Sequence, residues 1–183
     1  IEKHILILKH LEKYLQQHNL TGCIARRTTS IDNPDFYRFE NSMFSEYCPS
    51  FDVPERSNRY SSYQLAERSA VCVGLNTSIL LEFFAQGSRI LCCDYEAKLA
   101  GFTFPANDPR WTIFDQSYSA FEGALSSILN TSDSIWKSTY ATSELRNYYV
   151  YQPSEFDNYK TFKRYINEVK AKYCRLYIVR KIF

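Results

Sequence analysis

The six cysteines of this 183-residue chain contain no Cys-x-x-Cys pair. That argues against a zinc site or a thioredoxin-type redox centre. Apolar runs are short, and none approaches the ~20 residues a membrane-spanning helix needs. No secretory leader pattern is visible at the start. Net charge is only +2, too little to suggest a nucleic-acid partner. Histidine is scarce: His4, His10 and His18 all fall in the first twenty residues, without an acid cluster beside them. Surface or interface roles are therefore expected for them rather than metal binding. Neither a Ser-His-Asp nor a Cys-His arrangement is suggested. Internal repeats and low-complexity linkers are absent too.

What remains is an ordinary globular composition with a surplus of rings. Hydrophobic residues make up 45%, enough for one domain with a real core. Aromatics reach 16%, with 15 Tyr and 13 Phe, which suits packing and also suits binding of rings or sugars. Cys72, Cys92 and Cys93 sit inside apolar runs and read as small buried hydrophobes. The cysteine pattern points to a reducing compartment.

Apolar residues recur at helical spacing over residues 1–20, with Gly22 just past the end. Gly22 to Arg27 reads as a short strand running into two arginines. Short helices are expected over 35–47 and 62–69, with a brief strand over 50–54 and a polar loop over 54–62. Residues 70–74, 89–94 and 111–115 are the strand candidates. The first two are continuous apolar runs, the mark of strands buried on both faces. Helices are expected at 77–86 (stopped by Gly87), 119–129, 132–148 and 155–172. The last has Phe156, Tyr159, Phe162, Ile166 and Val169 along one face.

Strands alternating with helices give an α/β fold: a Rossmann-like parallel sheet flanked by helices, with a helix-rich C-terminal third. Residues 1–183 read as one such domain, with 130–183 a helical extension. The chain opens directly into a helical pattern at Ile1, which leads us to expect further sequence upstream.

In such sheets ligands bind at the carboxyl ends of the strands. Gly74 to Ser78 falls there, at a helix start whose free N–H groups and dipole suit phosphate. Asn76, Thr77 and Ser78 add an amide and two hydroxyls, although the same residues are the preferred helix caps. Glu82 lies four residues after Ser78, on the same helix face. A carboxylate there can accept two hydrogen bonds from a ribose diol; with Leu80, Leu81, Phe83 and Phe84 around it, its helix should be largely buried. A helix-start acid favoured by the dipole, or paired with an arginine, is the plainer explanation. Arg26 and Arg27 end an apolar strand on what should be the same sheet edge, where guanidinium groups would suit a diphosphate.

Glu82-Phe-Phe-Ala-Gln-Gly87-Ser-Arg-Ile-Leu91 resembles the E-A-x-A-x-G-x-P-V-V element of glycosyltransferases built from two facing Rossmann-like domains (the GT-B type). Tyr63 to Gly74 resembles the segment that precedes this element, and residues 111–129 resemble the strand and helix that close the donor site. The likeness covers roughly residues 21–129 and is nearest to bacterial enzymes of surface polysaccharide assembly, such as lipopolysaccharide or capsule. It implies a carboxyl-terminal, donor-binding domain for a nucleotide-activated sugar. Phosphate would lie on Asn76, Thr77 and Ser78 with Arg26 or Arg27 assisting, and ribose on Glu82. It further implies no cofactor and no metal, a glycan or lipid-linked acceptor, and a partner amino-terminal domain that carries the acceptor site and the base. It places the protein in the cytoplasm, at the inner face of the membrane. Two features depart from the pattern. Ser88-Arg89 stands where a proline turn is common, and the second upstream acid is replaced by Gly74 and Leu75. The basic end (Lys160, Lys163, Arg164, Lys170, Lys172, Arg175, Arg180, Lys181) could face anionic lipid in a peripheral membrane contact. A sugar-nucleotide epimerase of the same fold and a non-catalytic scaffold domain are the alternatives.

Overall fold

Three parallel strands and six helices form the architecture of the computed structural model, which describes residues 1–57, 61–75, 77–95 and 108–142. The order is α1 (Glu2–His18), α2 (Pro34–Tyr47), α3 (Ser61–Arg68), β1 (Cys72–Gly74), α4 (Ser78–Ala85), β2 (Ile90–Cys93), β3 (Thr112–Ile113), α5 (Tyr118–Asn130) and α6 (Asp133–Thr142). The sheet runs β1-β2-β3, with Val73 opposite Leu91 and Cys92 opposite Thr112. The α/β parallel class expected from the alternating pattern is therefore the class observed. The expected 155–172 helix, the rest of the 130–183 extension and the basic end lie outside the described residues.

β2 explains why the sheet holds. All four of its side chains, Ile90 to Cys93, are fully buried, so both faces of the central strand are covered. Phe84, Trp111, Phe121, Leu125 and Trp136 join it in one core. Burial pushes the thiols of Cys92 and Cys93 up to about 12, so both remain small apolar groups.

α4 is apolar on nearly every side and ends where Gly87 adopts φ +87, a conformation that favours glycine. Ser88 N–H closes onto the Phe83 carbonyl at 3.0 Å. α6 then completes the end: Trp136 Nε1 donates to the Gly87 carbonyl and Tyr140 donates to that of Ala85. The departure at Arg89 has a structural reason. Its guanidinium donates to the carbonyls of Ile128 and Leu129 at the end of α5, and to Asp133 at 2.6 Å.

Two local expectations change. Residues 22–27 do not form a strand of the sheet; Cys23 and Asp52 make an isolated parallel bridge instead. Ile24 N–H donates to Asp52 and Asp52 N–H donates to Gly22, which uses up the pairing of both short segments, including the expected strand at 50–54. Gly22 does not stop α1. Asn19 does, at φ 51 in the left-handed region. Gly22 is needed for space, because a Cβ there would fall 2.5 Å from both Leu15 Cδ1 and Phe51 Cε1. His10 takes the interface role, one of the two expected for the histidines. It is buried on α1 and bonds the Gln116 carbonyl through Nε2 at 2.9 Å. His18 lies 3.8 Å from Glu122. The three histidines thus belong to the α1 surface and its packing on α5. Among the described residues no group of three or more His, Cys, Asp or Glu is placed to hold a metal, and no helix is long and apolar enough to cross a membrane.

Candidate functional site

α3 carries two different faces. Its eight residues put Ser61, Leu65 and Arg68 on one side at helical spacing, and Tyr63 and Ala66 on the other. Ala66 is buried in the core and Tyr63 meets the Phe83 ring edge-on, with centroids 5.6 Å apart. The Tyr63 hydroxyl donates to Glu82 Oε2. Glu82 is itself exposed, while Leu80, Leu81, Phe83, Phe84 and Ala85 of the same helix are buried. The largely buried helix is thus observed, but its acid lies on the solvent side and has a phenolic donor. Thr77 is exposed and takes the N-cap position of α4 without a side-chain capping bond. Asn76 and the Ser78 side chain lie outside the described residues.

On the other face of α3 a cavity of about 190 Å³ opens towards Ala25–Arg26 and Pro54–Ser57. Three arginines line it: Arg26, Arg56 and Arg68. Ser57, Ser61, Ser62 and Gln64 supply polar groups, and Glu55 is the carboxylate in the wall. Glu55 accepts from the Tyr37 hydroxyl. Arg56 donates through Nη1 to the Arg27 carbonyl, and Ser57 N–H donates to Ser61 Oγ at 3.1 Å.

Arg26 does not end a strand at the sheet edge. It turns into α2, where it is 8% exposed. Its Nη2 donates to Asn41 Oδ1 at 2.6 Å, and the guanidinium lies 4.5 Å from the Tyr37 ring centroid and 5.7 Å from that of Phe44. Stacking on rings suits a planar, weakly hydrated cation. Nε and Nη1 are buried with no hydrogen-bond partner, as is Oε2 of nearby Glu40. Burial raises the Glu40 carboxyl above its ordinary range, against the opposing pull of Arg26, Arg27 and the Arg27 N–H. Arg27 itself is exposed.

The structure therefore divides the expected residues into two groups. Glu82 and Thr77 belong to the β1–α4 side, and Arg26 to the cavity. α3 lies between them, with Tyr63 and Ser61 in its first turn touching one group each. Arg56, Arg68 and Tyr63 were not singled out by the sequence. Arg68 follows Ser61 by seven residues, a helical repeat that could have been read. Arg56 and Arg26 are thirty residues apart and meet only through the fold.

No curated protein and no solved structure matches the chain. One family model does, over residues 1–170, nearly the whole length. The chain belongs to the family described as "putative O-antigen biosynthesis protein", which fits surface polysaccharide assembly.

Proposed function

We propose that this chain is the donor-binding domain of a glycosyltransferase that acts in O-antigen assembly. The observation that carries the reading is the β1–α4 unit: a parallel strand, a turn, and a helix presenting Glu82 to solvent, just past the carboxyl end of the sheet. That is where α/β sheets bind ligands. Glu82 accepts two hydrogen bonds from the donor ribose, with Tyr63 orienting the carboxylate. The start of α4, with Asn76, Thr77 and Ser78, receives phosphate, and Arg27, which is exposed, assists. Transfer occurs to a glycan or lipid-linked acceptor held by a partner domain, without a metal; helix dipole and guanidinium groups balance the leaving nucleotide. The cytoplasmic face of the membrane is the site of action.

Calorimetric titration with UDP, GDP and CMP, and with their sugar conjugates, tests this. One nucleotide should bind, and Glu82→Ala should weaken it by about 1–3 kcal/mol, as for a lost hydrogen-bonding partner. A folded protein that binds none of them would contradict the reading. One observation favours a second reading, a scaffold domain of the same assembly machinery. Arg26 is held by Asn41 and Glu82 is held by Tyr63, so both are bonded within the chain.

A further inference from the structure

The carboxyl ends of β2 and β3 set two unlike side chains side by side. Cys92 is opposite Thr112 and Cys93 opposite Ile113, and Asp94 N–H donates to the Ile113 carbonyl at 2.8 Å. One residue further in that register, Asp94 and Phe114 are neighbours on the face of the sheet that carries Cys92 and Thr112. Burial first, and then the Asp94 carboxylate, raises the Cys92 thiol, which agrees with both residues standing on one face. Asp94 is 6% exposed, whereas the Phe114 ring is 40% exposed, unusual for a large apolar side chain at the end of a buried sheet. Gly74 belongs to the same face, opposite Cys92 at the end of β1. A Cβ there would meet nothing within 4 Å, so the space above this strand end is open. Neighbouring strands lie about 4.8 Å apart, so the ends of β1 and β3 are separated by about 10 Å. A sugar ring attached to a phosphate at the start of α4 spans that distance. Asp115 adds a second acid just past β3; hydrogen bonds from the Ser117 N–H and hydroxyl hold its carboxyl below the usual range, so it is charged at neutral pH. Among the described residues no Lys or Arg lies in the turns that follow β1, β2 and β3, and Lys3, which reaches the last of them from α1, donates to Gln116.

We infer that the donor's sugar lies across the carboxyl ends of β2 and β3, against Asp94 and Phe114, and that this sugar carries no acid group. The inference rests on the donor reading and narrows it to neutral sugars. An exposed aromatic ring packs against the C–H face of a sugar, and a carboxylate accepts hydrogen bonds from its hydroxyls. A carboxylate offers about four acceptor sites, so a bond made within the chain leaves others for a sugar. A uronic or other acidic sugar would instead bring a like charge beside Asp94 and Asp115 in a partly buried place, where repulsion is poorly screened.

Calorimetric titration of the full chain with matched donors tests this. UDP-glucose is compared with UDP-glucuronate, and GDP-mannose with GDP-mannuronate; each pair differs by one carboxylate. CMP-sialic acid is compared with CMP. In the pair that binds, the neutral sugar should bind at least about tenfold more tightly than the acidic one. Asp94→Asn should narrow that gap severalfold, and Phe114→Ala should weaken the conjugate more than the free nucleotide. Phe114 is exposed, so its variant and the wild-type ratio keep the test valid if Asp94→Asn does not fold. A folded wild type that binds the acidic sugar equally well, or CMP-sialic acid more tightly than CMP, would overturn the inference and leave the donor reading standing. So would a ratio that Asp94→Asn, folded, leaves unchanged. Binding of no nucleotide at all would end both.

Discussion

Arg26 and Glu40 are a cation and an acid withdrawn from water together, and their environment makes a pH-dependent prediction. Glu40 is 6% exposed, and burial outweighs the nearby arginines, so its folded pKa lies above the ordinary 4.5. The folded protein then holds that proton more tightly than the unfolded chain does. The sign follows from linkage: the contribution is complete below pH 4.5 and is lost as pH rises from there through the folded pKa. Glu40→Gln removes it. Urea midpoints of wild type and variant, followed upward from pH 4, should diverge in the variant's favour. Parallel curves would mean that Glu40 titrates as it does in the unfolded chain. The same two residues mark the limit of sequence reading at this scale. Arg26 looked like a strand-end arginine because it follows Cys-Ile-Ala. Its burial depends on Tyr37, Asn41 and Phe44 of α2, which no local pattern reveals.

At the scale of elements, the chain is held by contacts between helix ends as much as by the sheet. The strands are two to four residues long, so the ladder alone is slight. Arg89 joins the end of α5 to Asp133 at the start of α6, satisfying carbonyls that α5 leaves open. Arg89→Met keeps the apolar stem and removes the donors. It should cost about 1–3 kcal/mol in urea unfolding with an unchanged m-value. A loss below ~0.5 kcal/mol would show that water replaces those bonds. The elements themselves were readable where periodicity was strong: β2 as a continuous apolar run, α5 and α2 from spacing, the end of α4 from Gly87. The 22–27 segment was misread because its apolar residues fit a strand, while its actual partner, Asp52, is fixed by how Phe51 and Leu15 close around Gly22. The turn before α4 was readable as a helix start, but Glu82's exposure was not, since five of its helix neighbours are buried.

For the whole molecule, family membership points to polysaccharide assembly, and the donor site proposed above would lie beside β1 and α4. Tyr63 in the first turn of α3 bonds Glu82, while Ser61 of the same turn lines the arginine cavity on the other face. The cavity itself draws on residues 26, 56 and 68, whose separation hides it from any local motif. Amide hydrogen exchange, compared with and without a saturating sugar nucleotide, tests the central claim most directly. Protection should rise in residues 61–68 and 77–82 and leave α1 and α5 unchanged. Protection confined to α1 and α5, or no change with any nucleotide, would contradict a donor site at this place in the fold.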